Sequence, residues 1–246
     1  MTKGKKRLLI PGGILLTVLF LGALICGIYL GDYYRADPIA VAAFAPEDSV
    51  PAGVTREGFS VFAPEGADTG FIFYPGGKVE HTAYIPLMQQ LASEGIFCVL
   101  VEMPFRLAVL DMQAAANIPA QYPQIENWYI GGHSLGGAMA ASFVAKETQT
   151  YDGLVLMGAY STADLTGSQL RVLSVYGSED LIMNREKYGE NFKNLPAETR
   201  ELILDGGCHS YFGMYGSQKG DGTPRITNEQ QIRQTADAIT SFISEN

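Results

Sequence analysis

Hydrophobic positions along this chain fall into two regimes. Residues 8–30, "LLIPGGILLTVLFLGALICGIYL", form one apolar run without a single charge. Beyond residue 55, shorter apolar runs alternate with segments of mixed polarity. The short runs predict strands over 58–63, 70–75, 96–103, 128–132, 153–159, 171–177 and 201–206. The mixed segments predict helices over 82–94, 107–121, 135–148, 184–194 and 227–244. Continuous Val/Ile/Leu-rich runs, rather than strict alternation, suit strands covered on both faces. Repeated strand–helix alternation predicts an α/β fold, a mostly parallel sheet flanked by helices.

The long run calls for another environment. Its 23 residues would reach about 34 Å as a helix, enough to cross a hydrocarbon core. Lys3, Lys5, Lys6 and Arg7 precede it and Asp32 follows, an asymmetry that predicts the N-terminus inside and the rest outside the cytoplasm. The chain then divides into a basic cytoplasmic tail (1–7), a transmembrane signal anchor (8–30), an Ala/Pro/Gly-rich stalk (31–54) and a folded domain (55–246). A cleaved signal peptide is the rival, with Ala40-Val41-Ala42 as its A-x-A site, but the run exceeds the usual core of about 7–15 residues. Bulky Leu24 and Ile25 before Cys26 argue against a lipoprotein.

Composition narrows the function classes. A chain of 246 residues holds one sizeable α/β domain or two small ones. Beyond residue 30, 26 acidic residues face 13 basic ones, so nucleic acid is not an expected partner. Three cysteines make no disulfide framework, and three scattered histidines without a CxxC pair supply no zinc site, so no metal or cofactor is expected.

The stretch 129–140, "YIGGHSLGGAMA", carries the chemistry. Gly132-His133-Ser134-Leu135-Gly136 fits G-x-S-x-G between a predicted strand and a small-residue helix. In that context the pattern describes a sharp turn that exposes a serine hydroxyl, with glycines where side chains would collide. A serine needs a base, and histidine suits neutral pH. Of the three histidines, His133 sits on the elbow itself and is read as structural, while His81 lies in an early loop. His209 follows the last predicted strand in "LILDGGCHSYFG" and is the expected base. Asp180, in "VLSVYGSEDLI", is the expected partner carboxylate, with Asp164 and Glu179 as lesser candidates. The oxyanion donors are expected at the backbone N–H of Leu135 and of Gly77, with Gly76 and Lys78 as alternatives to the latter. Val79 after Gly-Lys departs from a phosphate loop.

Over roughly residues 55–246 the chain resembles the α/β-hydrolase superfamily. The stretches "FIFYPGGKVEHTAYIPLMQQLASEGIFCVLVEMPFRLAVLD" and "GGHSLGGAMAA" are similar to a bacterial branch of membrane-anchored, dienelactone-hydrolase-like proteins. The resemblance implies Ser134, Asp180 and His209 as a triad on an extracytoplasmic serine hydrolase domain. The early loop departs from the His-Gly-Gly-Gly form, reading "YPGGK".

Only about a dozen residues separate Ala159 from Arg171, which leaves no room for a lid domain there. An open, shallow site for water-soluble esters or envelope-borne acyl groups is expected. Tyr211, Phe212, Met214 and Tyr215 are read either as a substrate pocket or as packing for the last helix, and Cys208 as a bystander thiol. The leading expectation is a serine esterase working through an acyl-enzyme. Its alternatives are acyl transfer to a cell-envelope acceptor and a surface-tethered binding protein without chemistry. The expected partners are a small-molecule or envelope ester and, through the N-terminal helix, a membrane.

Overall fold

A computed structural model describes residues 3–44, 53–56 and 58–245. They form two compact units, divided between Tyr33 and Tyr34.

The first unit is a single helix, α1 (Lys3–Gly31). Its segment Ile14–Gly31 has a mean hydropathy of 2.5 and is long and apolar enough to cross a membrane, properties it shares with signal sequences. Leu15, Leu16, Val18, Leu19 and Phe20 are all exposed. A helix that is apolar all round has no polar face to turn toward water.

The second unit is built on eight strands: β1 (Gly53–Arg56), β2 (Phe59–Phe62), β3 (Thr69–Tyr74), β4 (Phe97–Val101), β5 (Asn127–His133), β6 (Gly153–Met157), β7 (Arg171–Gly177) and β8 (Arg200–Leu204). Their order in the sheet is β1-β2-β4-β3-β5-β6-β7-β8. β1 and β2 pair antiparallel, and every pairing from β4 to β8 is parallel. The helices are α2 (Pro38–Phe44), α3 (Ile85–Ser93), α4 (Ile118–Gln121), α5 (Leu135–Val144), α6 (Arg185–Phe192) and α7 (Asn228–Ser244).

The central strands are buried on both faces, as their unbroken apolar runs require. On β3, Phe71 and Phe73 face one core with Leu87 and Leu91 of α3 and Ile232 and Ile239 of α7. Ile72 and Tyr74 face the other with Ala140, Ala141 and Val144 of α5. α7 starts at a reciprocal cap, in which Gln230 N–H donates to Thr227 Oγ1 and Thr227 N–H donates to Gln230 Oε1.

From β3 the chain builds outward in both directions, through β4 on one side and β5 on the other. Strand loops separate at such a reversal and leave a crevice at the carboxyl edge. The register sets Tyr74 beside Gly132, so the loop after β3 and the turn after β5 emerge side by side.

Three local expectations fail. The helix predicted over 107–121 is absent: 3-10 turns at Pro104–Arg106 and Ala108–Leu110 lead to the single turn α4. Leu107 (φ −127°, ψ 100°) and Asp111 (φ −148°, ψ 69°) have non-helical backbones within the predicted span. Tyr74 bridges this stretch, donating to the Met112 carbonyl and accepting from Ala115 N–H, so side chains take backbone groups a helix would use. Strand β1 falls where a stalk was expected. Within the segment expected as a stalk, Tyr34, Ala36, Ala40 and Val41 pack against the core and Phe44 is buried in it. Residues 45–52 lie outside those described.

Candidate active site

β5 ends in the predicted turn. Ser134 has φ 53° and ψ −121°, a conformation that costs a non-glycine residue about 1–3 kcal/mol, and α5 begins at the next residue. Its N–H donates to the Met157 carbonyl at 2.9 Å, which pins the turn to β6. The flanking glycines are a packing requirement. A Cβ on Gly132 would lie 2.6 Å from the Tyr74 carbonyl oxygen, and one on Gly136 would collide with the same oxygen. The elbow is thus pressed against the end of β3.

His209 arrives from the loop after β8. Its Nδ1 lies 2.8 Å from Asp180 Oδ2, and both side chains are at most 1% exposed. The carboxylate's other oxygen accepts the N–H groups of Ile182 (2.9 Å) and Met183 (2.8 Å) in the turn after β7. A carboxylate only accepts, so Nδ1 carries the proton, and in the neutral form of the ring Nε2 would present a lone pair. Nε2 is buried and meets no hydrogen-bond partner among the described residues. Ser134 and His209 line one cleft of about 380 Å³. Leu135, Met139, Tyr160, Ile182 and Met183 give it a mostly apolar wall, and among the described residues no Lys, Arg, Asp or Glu lines it.

The other candidates are placed elsewhere. Asp164 is exposed and turned onto the Thr166 hydroxyl and N–H, which hold its carboxyl below the usual range. Glu179 pairs with Arg225. His81 lines a separate hollow with Glu102 and Arg106, and burial lowers its pKa. His133 is buried, its Nδ1 2.8 Å from the Tyr84 hydroxyl and its ring 4.5 Å from that of His209. Burial first, and then the neighbouring His209, hold His133 well below the ordinary histidine range, so it stays neutral.

The loop Pro75–Lys78 has little freedom. Gly76 N–H donates to the Tyr84 hydroxyl at 3.1 Å, and Lys78 N–H donates to the Arg106 carbonyl at 2.8 Å. Gly77 N–H alone of the three alternatives has no hydrogen-bond acceptor among the described residues. Gly77 packs on Leu135, where an added Cβ would fall 2.9 Å from Leu135 Cδ2.

The aromatic stretch after His209 is packing. Phe212, Met214 and Tyr215 are buried in the core against α7 and do not line the cleft. Cys208 is buried, and burial first pushes its thiol up to about 11, so it remains protonated at neutral pH. Among the described residues no group of three or more His, Cys, Asp or Glu converges as metal ligands.

Several contributors escape sequence reasoning. Gln231, fully buried on α7, accepts Cys208 N–H at 2.9 Å and donates to its carbonyl at 2.8 Å. Asp221 accepts N–H groups from His209 (3.2 Å) and Ser210 (2.8 Å) and the Ser210 hydroxyl (2.9 Å). Burial opposes its charge, but these bonds outweigh it and lower the Asp221 pKa. Gly158, at φ 53°, lies under the His–Asp pair, and a Cβ there would fall 2.9 Å from His209 Nδ1. None of the three belongs to a motif. The only local signal is the "GDG" turn around Asp221.

Residues 70–233 match the family model described as "Alpha/beta hydrolase family". No curated protein matches the sequence. Among solved structures, a monoacylglycerol lipase from Paleococcus ferrophilus aligns with a TM-score of 0.58 at 13% identity, over 75% of this chain and 98% of the lipase. A dienelactone hydrolase from Anabaena variabilis gives 0.55 at 15%, over 79% and 94%. Est1E from Butyrivibrio proteoclasticus gives 0.57 at 13%, over 76% and 94%. At these identities the likeness is one of fold.

Proposed function

This chain belongs to the alpha/beta hydrolase family and is a hydrolase, and from that premise we propose that it cleaves neutral carboxylic esters through a serine acyl-enzyme. The observation that carries the reading is the buried His209–Asp180 hydrogen bond of 2.8 Å, with His209 lining the same cleft as a strained Ser134.

In this mechanism Ser134 Oγ attacks the ester carbonyl carbon as its proton passes to His209 Nε2. Asp180 holds the ring in the accepting tautomer and stabilises the imidazolium that forms. The carbonyl oxygen becomes an oxyanion against the N–H groups of Leu135, at the start of α5, and Gly77. The carbon–oxygen bond to the alcohol then breaks, and the alcohol leaves with the proton from Nε2. Water, deprotonated by His209, attacks the acyl-serine and releases the acid.

The cleft's chemistry supports the substrate class. No Lys or Arg among the described residues lines it to pair with a substrate carboxylate or phosphate, and its apolar lining favours an uncharged acyl or alcohol group. At roughly 30 Å³ per water-sized group, 380 Å³ admits about a dozen non-hydrogen atoms. We also propose that α1 remains in place as a membrane anchor with the hydrolase unit outside the cytoplasm. The basic residues before the apolar segment support this.

The test is Ser134→Ala on an activated short-chain ester. Turnover is expected to fall about 10³-fold or more with the fold retained. A folded variant that turns over like the wild type ends the serine mechanism.

A further inference from the structure

The loop that carries Gly77 is clamped from a direction that its neighbours in sequence do not supply. Tyr34 N–H donates to the Lys78 carbonyl at 2.8 Å, and Glu80 N–H returns to the Tyr34 carbonyl at 2.9 Å. Together they form a parallel bridge between Tyr34 and Val79. Two residues on, Ala36 N–H donates to Glu80 Oε2 at 3.1 Å. Asp37 N–H then donates to the Met214 carbonyl at 2.8 Å, in the segment that follows His209. The Tyr34 ring lies 5.7 Å from that of Tyr215, and Lys219 N–H donates to its hydroxyl at 3.3 Å.

We propose that Tyr34 is a positioning residue of the active site, which fixes the Gly77 N–H for the oxyanion by holding the Lys78–Glu80 backbone. This rests on the serine-hydrolase reading above. Lys78 has φ 59°, a left-handed conformation that a lysine leaves unless it is held. Its N–H is held by the Arg106 carbonyl and its carbonyl by Tyr34 N–H. The peptide plane carrying the Gly77 N–H is one residue upstream. That plane also carries the Gly76 carbonyl, which accepts Val79 N–H at 3.2 Å, and Val79 N–H shares its peptide with the Lys78 carbonyl that Tyr34 holds, so the Gly77 N–H is aimed by constraint. Releasing Lys78 allows its φ to relax to negative values, which turns the neighbouring peptide. The segment 34–37 is therefore a working part of the catalytic unit, although it lies some twenty residues before the first strand of the sheet.

The experiment uses the full-length protein in detergent and a fluorophosphonate probe. Two quantities are read, the labelling rate constant and the final number of labelled serines per chain. Tyr34→Pro removes the donor to Lys78, and Glu80→Ala removes only the acceptor of Ala36. Losing an oxyanion donor outright costs about 10²–10³-fold. Tyr34→Pro is expected to slow labelling and lower kcat about 10-fold or more, and Glu80→Ala about 3-fold, with KM nearly constant and close to one serine labelled per chain. A merely structural role lowers the number of labelled chains and leaves the rate per labelled site unchanged. That result, or wild-type rates in both variants, overturns the proposal. Should Tyr34→Pro fail to fold, the Glu80→Ala rate decides alone. A wild-type protein that never labels at Ser134 refutes the serine reading itself, and this inference with it.

Discussion

Tyr84→Phe removes one oxygen and is expected to disturb both halves of the site. The hydroxyl is fully buried, accepts Gly76 N–H at 3.1 Å and lies 2.8 Å from His133 Nδ1. Burial raises its pKa, so the hydroxyl keeps its proton at neutral pH. The variant leaves two buried polar groups unpaired, at about 1–2 kcal/mol each after partial relaxation, or roughly 2–4 kcal/mol together. At about 2–4 °C per kcal/mol for a domain of this size, Tm should fall by roughly 5–15 °C. Gly76 also loses the bond that orients the loop upstream of Gly77, so kcat should drop about 10-fold while KM changes little. Differential scanning calorimetry and steady-state kinetics on an activated ester, well below the variant's Tm, measure the two effects separately. A Tm within about 2 °C of wild type together with an unchanged kcat would show that neither group depends on the hydroxyl, and the reasoning fails.

Other outcomes are open to measurement. Gly158→Ala adds a methyl group 2.9 Å from His209 Nδ1 and 3.2 Å from Asp180 Oδ2 at a φ of 53°. It should lower kcat about 10-fold or more by parting the pair, and wild-type kinetics would refute the close packing. Buried His133 titrates lower in the fold than in the unfolded chain, so its contribution to stability is complete above the unfolded value of about 6.5 and is lost as pH falls toward the folded value. The slope approaches about 1.4 kcal/mol per pH unit. The stability difference between wild type and His133→Gln should therefore narrow between about pH 7 and 5, and a constant difference would exclude a neutral, buried His133.

Legibility from sequence followed chemistry and period. Ser134 was legible because its turn needs glycine on both sides, and His209 because few histidines exist and only one follows the last strand. Asp180 was favoured over Asp164 and Glu179 from its place just past a strand, between Ser134 and His209 in sequence, and the side-chain partners of all three then set them apart. The helix expected over 107–121 shows the opposite failure. Its composition tolerates a helix, but the Tyr74 hydroxyl, distant in sequence, claims backbone groups at Met112 and Ala115.

The sequence by itself determined the strand–helix alternation, the apolar N-terminal segment and the serine elbow. Each of these is written in neighbouring residues as a period, a run or a steric need. The tertiary structure alone decided that Asp164 and Glu179 are held elsewhere, that Gly76 and Lys78 N–H are already bound, and that Tyr34 and Tyr84 hold that loop. Those outcomes depend on hydrogen bonds between residues far apart along the chain. Whether such a bond forms is settled by where the folded sheet brings its ends together, and no local pattern of residues encodes that distance.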